Sequence, residues 1–338
     1  MPAEEDRMRN DDMAVVVNGV RKTYGKGKIV ALDDVSFKVR RGEVIGLLGP
    51  NGAGKTTMVD ILSTLTRPDA GSAIIAGYDV VSEPAGVRRS IMVTGQQVAV
   101  DDALSGEQNL VLFGRLWGLS KSAARKRAAE LLEQFSLVHA GKRRVGTYSG
   151  GMRRRIDIAC GLVVQPQVAF LDEPTTGLDP RSRQAIWDLV ASFKKLGIAT
   201  LLTTQYLEEA DALSDRIILI DHGIIIAEGT ANELKHRAGD TFCEIVPRDL
   251  KDLDAIVAAL GSLLPEHHGA MLTPDSDRIT MPAPDGIRML VEAARRIDEA
   301  RIELADIALR RPSLDHVFLA MTTDPTESLT HLVSGSAR

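Results

Sequence analysis

The chain has 338 residues, of which 44% are hydrophobic and 26% are charged. This composition is typical of a globular protein and excludes wholesale disorder, and the length favours two domains of about 150 residues each. The 41 Lys and Arg residues against 46 Asp and Glu residues give a net charge of −5, which argues against nucleic acid as a partner.

The beginning of the chain and the apolar runs bear on membranes and export. Residues 1–13 are acidic and polar without the apolar stretch of a signal peptide, so we expect a flexible leader. Crossing a bilayer takes roughly 18–20 apolar residues, and the best candidate, residues 217–227, is interrupted by Asp221 and His222. The spacing of Cys160 and Cys243 fits neither zinc nor haem sites and favours a reducing compartment.

From residue 14 onwards, β-branched runs alternate with helical patterns. Strands are predicted at residues 14–17, 34–39, 43–48, 73–78, 91–94, 168–171, 198–204 and 216–220. Helices are predicted at residues 56–65 and 181–195, and a helical insert at about residues 98–164, where apolar residues recur at intervals of three and four. Near-continuous apolar strands alternating with helices predict an α/β fold with a largely parallel sheet covered on both faces.

The composition changes again after about residue 237. Short strand candidates flank two helical patterns, at residues 250–260 and 286–297, which predicts a small α+β domain over residues 237–322. Residues 323–338 are rich in Ser and Thr, and we expect a flexible tail. The chain has no internal repeat.

The strongest motif is a phosphate-binding loop. Gly49, Gly54, Lys55 and Thr56 fit the P-loop pattern, with an apolar strand before it and a helical pattern after it. Glycines let the backbone approach phosphate oxygens, which face consecutive N–H groups and the positive helix end. Lys55 would reach the β- and γ-phosphates, and the Thr56 hydroxyl would coordinate Mg²⁺. The expected nucleotide contacts are Gly49, Pro50, Asn51, Gly52, Ala53, Gly54, Lys55, Thr56 and Thr57.

Two carboxylates follow a later apolar strand. The run VAFL places Asp172 at the end of a buried strand, where it would hold Mg²⁺ through the water shell of the ion. Glu173 would face an attacking water and position it in line with the γ-phosphate. An apolar run followed by an acidic pair is a weak signal alone, but it becomes strong beside a P-loop.

A third motif, TYSGGMRRR, precedes this acidic pair. Ser149 is a natural N-cap, and Gly150 and Gly151 expose their amides at a helix start. Alone this pattern predicts an ordinary capped helix, and the arginines at positions 153–155 favour a solvated face over a cargo site. The order of P-loop, Ser-Gly-Gly, acidic strand end and GLDP (residues 177–180) resembles the ATP-binding subunit of ABC transporters over about residues 15–230.

That resemblance implies a fold and further site residues. It implies a P-loop NTPase core of the ABC ATPase type over residues 14–236, which binds and hydrolyses ATP with Mg²⁺. Tyr24 matches the aromatic residue that stacks on adenine. Gln96 matches the glutamine that contacts Mg²⁺ and the lytic water, and its neighbour Gln97 is the alternative. Asp179 matches the residue that links the two sites of the dimer. Ser149, Gly150 and Gly151 match the signature loop, which acts on the nucleotide of a second copy.

The chain departs from the family pattern at Gln205, where most members have histidine. A glutamine amide still donates a hydrogen bond to the γ-phosphate but takes up no proton near neutral pH, so Glu173 becomes the main candidate for activating water. The alternative interpretation makes Gln205 a polar cap on the next helix.

Gln205, the GQQ run at residues 95–97 and the segment RPSLDHVFLAMT at residues 311–322 resemble the daunorubicin/doxorubicin-resistance type of drug-exporting ABC ATPase. This resemblance implies a separate polytopic membrane subunit and an amphipathic drug or a lipid as cargo. It also implies a homodimer at the cytoplasmic side of the cell membrane, as a peripheral protein. An importer ATPase and a non-transport regulatory ABC ATPase remain the alternatives.

Overall fold

The computed structural model describes residues 12–25, 27–95, 98–237, 241–264 and 277–310. The chain divides into two compact units, residues 1–230 and residues 231–338. The division follows Thr230, whereas the sequence pattern placed it after residue 236. The leader before residue 12, Gln96, the motif at residues 311–322 and the tail lie outside the described residues.

The first unit contains a four-stranded antiparallel sheet with the strand order β2-β1-β4-β5. Its strands are β1 (Met13–Tyr24), β2 (Ile29–Arg40), β4 (Ala70–Ile75) and β5 (Tyr78–Asp79). The sequence pattern predicts strands here but does not separate them from the parallel sheet. The sequence does contain a signal for this separate sheet, because apolar and polar residues alternate through the second half of β2. The structure buries every second side chain there, as expected of a sheet with one covered face.

The second sheet has six strands in the order β10-β9-β3-β8-β7-β6. They are β3 (Val44–Leu48), β6 (Ile91–Thr94), β7 (Val168–Asp172), β8 (Ala199–Thr204), β9 (Arg216–Asp221) and β10 (Ile224–Gly229). All pairings are parallel except that of β10 with β9. Every residue of β3, β7 and β8 is buried, which confirms the prediction of a covered, largely parallel sheet.

The helices of the first unit cover this sheet on both faces. They are α1 (Lys55–Leu62), α2 (Pro84–Ser90), α3 (Gly106–Leu116), α4 (Lys121–Gln134), α5 (Gly150–Gly161), α6 (Pro180–Lys195) and α7 (Leu207–Leu213). One core lies between α1 and the antiparallel sheet, around Met58 and Ile61. The other joins α3, α4, α5 and α6 to the parallel sheet, around Leu110, Leu131 and Phe193.

The second unit is a small α+β unit. It contains α8 (Ala231–Arg237), β11 (Phe242–Pro247), α9 (Leu253–Leu260), β12 (Ile279–Pro282), α10 (Ile287–Glu299) and β13 (Leu304–Arg310). The strands form an antiparallel sheet in the order β12-β11-β13, and the apolar faces of α9 and α10 share its core. Over the described parts of both units, no helix is long and apolar enough to span a membrane.

Candidate functional site

The phosphate-binding loop runs from the carboxyl end of β3 to the start of α1. A Cβ added at Gly49 would lie 2.2 Å from the Ile220 carbonyl oxygen, so no larger residue fits there. Gly54 precedes α1 with φ 104°, a left-handed backbone that side chains disfavour. These two glycines let the loop turn tightly and direct the first amides of α1 towards the sheet edge.

Lys55 is the first residue of α1, and its side chain is 5% exposed. Its Nζ atom donates to the carbonyl oxygens of Gly49, at 2.7 Å, and Pro50, at 3.0 Å, and lies 3.7 Å from Oε1 of Glu173. Burial lowers the pKa of Lys55 from its ordinary value, and the charges of Glu173 and Asp172 oppose that shift. The amine lies among the backbone carbonyls of the loop, where anionic phosphate oxygens would accept its hydrogen bonds.

Asp172 ends β7 beside the loop. Its Oδ2 atom accepts a hydrogen bond from Oγ1 of Thr56 at 3.2 Å, and its Oδ1 atom accepts one from Oγ1 of Thr203 at 2.5 Å. The structure thus brings together the hydroxyl and the carboxylate that the sequence assigned to Mg²⁺, and oxygen donors are the ligands that this ion prefers. Thr203 on β8 was missed, although a threonine at the end of an apolar strand is a visible signal.

Glu173 has a left-handed backbone, with φ 47°. Its amide donates to the carbonyl oxygen and to the hydroxyl of Thr203, both at 3.1 Å, and its Oε2 atom accepts from Oγ1 of Thr176 at 3.2 Å. Such a backbone costs of the order of 1–3 kcal/mol in a non-glycine residue and persists where the surroundings enforce it. This turn places the Glu173 carboxylate beside Lys55.

The signature helix α5 begins against α6. Ser149 is the N-cap of α5 and accepts a hydrogen bond from the Met152 amide at 3.3 Å, which confirms the capping prediction. A Cβ added at Gly151 would lie 2.2 Å from Oγ of Ser182 in the first turn of α6. Asp179 caps α6 by accepting from the amide and the hydroxyl of Ser182, at 2.9 and 2.6 Å. These two hydrogen bonds lower the pKa of Asp179.

The solvated face predicted for residues 153–155 is wrong at its centre. Arg153 is partly exposed and pairs with Asp102, but Arg154 is buried and bonds three backbone carbonyls. The helix pattern alone gave no sign of this burial, because the partners of Arg154 come from strand ends distant in sequence. Arg155 donates to the carbonyl oxygen of Phe135 at 3.1 Å.

The remaining site predictions differ in how far the structure describes them. Tyr24 is the last residue of β1, and its exposed ring has Nζ of Lys22 5.6 Å from the centroid. Gln205 is half-buried and follows β8. The N-cap of α7 is Tyr206, so the interpretation of Gln205 as a helix cap is wrong. Gln96 lies outside the described residues.

A buried acid near the end of β8 was also missed. Glu209 on α7 is fully buried, and its Oε1 atom accepts a hydrogen bond from Nε1 of Trp187 at 3.2 Å. Burial raises the pKa of Glu209, and hydrogen bonds to the carboxylate oppose the shift. The contact joins α7, which follows Gln205, to α6, which follows Asp179.

Comparison with known proteins places this geometry in a family. A family model described as ABC transporter matches residues 32–176. The daunorubicin resistance ATP-binding protein DrrA3 of Streptomyces coeruleorubidus is 52% identical over 315 residues, which cover 93% of this chain and 97% of that protein. The daunorubicin/doxorubicin resistance ATP-binding protein DrrA of Streptomyces peucetius is 47% identical over 315 residues, covering 93% of this chain and 94% of that protein.

A solved structure resembles about two thirds of the chain. It is a dimeric ATP-binding cassette in a post-hydrolysis state, bound to ADP and Pi. The match has a TM-score of 0.58 and 28% identity, and it covers 64% of this chain and 98% of that one. The P-loop, Asp172, Glu173 and the helix that begins at Gly150 all belong to the first unit.

Proposed function

Because this chain belongs to the ATP-binding proteins of ABC transporters, which bind and hydrolyse ATP, we propose that it powers the export of amphipathic drugs or lipids through a separate membrane subunit. The observation that carries this proposal is the extent of the likeness to the daunorubicin resistance proteins. An alignment of 315 residues cannot fit within the 230 residues of the first unit. It therefore includes the second unit, which the general nucleotide-binding fold does not contain.

We propose that ATP drives closure of a dimer of two copies of the chain, which is called the clamp below. Each chain has one P-loop and one signature motif, so two copies form two composite sites. One copy supplies Lys55 and Glu173, and Ser149, Gly150 and Gly151 of the other cap the same γ-phosphate. ATP then stabilises the closed dimer, because the capping amides have an anionic partner only while the γ-phosphate remains. The dimeric state of the solved relative supports this arrangement.

Hydrolysis follows from the charges at the site. The oxygen of a water attacks the γ-phosphorus, and the bond from that phosphorus to the β–γ bridging oxygen breaks, giving ADP and phosphate. Glu173 orients this water and accepts its proton, while Lys55 and the loop amides stabilise the charge on the phosphate oxygens. Gln205 donates a hydrogen bond to the γ-phosphate, and Asp179 links the two sites of the dimer.

The oxygen atoms of Thr56 and Asp172 fit Mg²⁺, since a hydroxyl and a carboxylate already lie 3.2 Å apart at the loop. Thr56 would hold the ion directly and Asp172 through water, and Gln96 is the expected further ligand. Bound there, the ion would neutralise the charge on the β- and γ-phosphates. Tyr24 would stack on adenine, which fits an exposed aromatic ring at the end of β1.

The chain is proposed to act as a peripheral protein on the cytoplasmic side of the cell membrane, held there by a polytopic membrane subunit. Helix α3 offers a contact of suitable chemistry, since Leu112, Leu116 and Trp117, which follows the helix, are all exposed. Exposed large apolar side chains clustered on one helix mark interaction sites.

Transport in inverted membrane vesicles tests the proposal. Vesicles from cells that express the chain with its membrane subunit should accumulate doxorubicin when Mg-ATP is added, measured by quenching of drug fluorescence. Vesicles that carry Glu173→Gln, or the membrane subunit alone, are the matched controls and should accumulate none. Equal accumulation with the membrane subunit alone would refute ATP-driven export of this drug, whereas equal accumulation with Glu173→Gln would refute the role of Glu173. Labelled phospholipid in the same vesicles tests the lipid alternative.

A further inference from the structure

Arg154 and Asp157 form a buried charged pair on the signature helix α5. Their guanidinium and carboxylate groups approach to 3.6 Å, and both residues are at least nine-tenths buried. Burial lowers the pKa of Arg154 and raises the pKa of Asp157, and the attraction between the two groups opposes both shifts. A buried ion pair adds little stability over an apolar pair of similar volume, so its presence calls for another explanation.

The hydrogen bonds of Arg154 explain why the buried pair is present. Its Nη2 atom donates to the carbonyl oxygen of Asp172 at 3.1 Å, and its Nε atom donates to that of Pro174 at 3.0 Å. These carbonyls belong to the residues immediately before and after Glu173. Because the guanidinium group is planar and rigid, its hydrogen bonds fix the two carbonyls relative to each other. The left-handed backbone of Glu173 therefore lies between two anchored points.

The same pair also holds the chain around position 96. The Nη1 atom of Arg154 donates to the carbonyl oxygen of Gly95 at 2.7 Å. The Oδ1 atom of Asp157 accepts a hydrogen bond from the Ala99 amide at 2.8 Å. One turn of α5 thus holds the backbone that enters and leaves the segment containing Gln96, as well as the backbone around Glu173.

We propose that Arg154, supported by Asp157, is the positioning residue for Glu173 and makes its placement depend on the signature helix. The residues that cap the nucleotide of the partner copy, Ser149 to Gly151, begin the same helix. Closure of the clamp against this helix therefore reaches the hydrolytic carboxylate of the same chain through the two hydrogen bonds from Arg154 to the backbone on either side of Glu173. The inference rests on the proposed role of Glu173.

The test separates positioning from binding. Arg154→Lys keeps the charge but loses the rigid fork, so kcat for ATP should fall by at least about tenfold, within the roughly 10²-fold cost of a small misplacement. The Kd for a fluorescent ATP analogue should stay within about twofold, because the P-loop contacts remain. The matched control is Arg153→Lys, one position away on the same helix, which should keep both values. An unchanged kcat in Arg154→Lys overturns the inference.

A double variant distinguishes positioning from a general structural effect. If Arg154 acts through Glu173, adding Arg154→Lys to Glu173→Gln should not lower the single-turnover rate further. If Arg154→Lys lowers the single-turnover rate by the same factor with and without Glu173→Gln, the inference is overturned. A wild-type rate in Glu173→Gln alone would instead refute the role of Glu173.

Asp157→Asn provides a second route should Arg154→Lys fold poorly. The amide oxygen still accepts from Ala99, but the charge opposite Arg154 is lost. We expect kcat to fall by a few fold while the Kd for ATP stays unchanged. An unchanged kcat would overturn the inference, and so would a loss of ATP affinity without a loss of kcat.

Discussion

The P-loop region and the signature region are both helix starts that present glycine and backbone amides, yet they differ in what surrounds them. Around the P-loop, Lys55, Thr56, Asp172 and Glu173 meet at one sheet edge, with each side chain partnered. At the signature, the Ser149 side chain caps its own helix and Gly151 packs on Ser182. Lys55, Thr56 and Asp172 form the proposed phosphate cradle, which presents charged and polar side chains, whereas the signature presents mainly backbone.

The largest effect that would test the cradle comes from Lys55→Ala. Hydrogen bonds to charged groups contribute about 1.5–3 kcal/mol each, so we expect ATP affinity to fall by about 10²-fold. Equilibrium binding of a fluorescent ATP analogue measures it, with Lys195→Ala, at the exposed end of α6, as the surface-lysine control. Unchanged affinity would show that Lys55 does not hold phosphate.

Glu173→Gln sharpens the comparison because it leaves the cradle intact. The amide cannot accept the proton of the attacking water, so hydrolysis should slow by at least about 10²-fold while ATP still binds. A phosphate-release assay beside the binding measurement checks both. Normal turnover would remove Glu173 from the mechanism and leave the carboxylate as a partner of Lys55.

The signature side is tested by a steric change. Gly151→Ala puts a methyl group 2.2 Å from Oγ of Ser182, so α5 must shift against α6. Overpacking of this kind costs about 1–3 kcal/mol, so we expect ATP-dependent dimer formation to weaken by about tenfold. The affinity of the single copy for ATP should stay unchanged, because the phosphate cradle is intact. The double variant Gly151→Ala/Ser182→Gly is the matched control, since it removes the Oγ and Cβ atoms of Ser182 that the added methyl would meet at 2.2 and 2.6 Å, and it should regain dimer formation. Sedimentation with ATP in the Glu173→Gln background measures dimer formation of Gly151→Ala and of its control. Equal dimer formation in both would show that the contact with Ser182 is not the cause of the effect.

The smallest effect is expected at Gln205. A hydrogen bond to a charged group contributes about 1.5–3 kcal/mol, but only the part gained between bound ATP and the transition state changes kcat, so Gln205→Ala should slow hydrolysis by about two- to tenfold. Gln205→His still donates and should retain the rate. Identical rates in both variants, measured at saturating Mg-ATP, would make the position structural.

Patterns that are local in sequence allowed the cradle to be predicted. The P-loop spacing and the apolar run before Asp172 depend on neighbouring residues, and the structure brings the two motifs together at one sheet edge. The ends of β3, β8 and β7 meet there because parallel strands align their carboxyl ends.

The supports of the cradle depend on packing between distant segments and were not predicted. Arginine side chains are mostly exposed, and nothing near Arg154 in sequence shows that strand ends at Gly95 and Asp172 will enclose it. Glu209 was missed for the same reason, since its partner Trp187 lies on another helix. Tyr206 as the cap of α7 was likewise invisible, because aromatic residues are poor N-caps.

The strand order has a consequence for synthesis. Strand β3, which leads into the P-loop, ends at Leu48, but its two neighbours begin only at Ala199 and Arg216. During translation this strand therefore stays unpaired on both edges until most of the first unit has left the ribosome. Strands with unpaired edges are prone to aggregate. Nascent chains that stop before β8 should consequently fail to bind nucleotide, although every residue of the Gly-rich motif is already present.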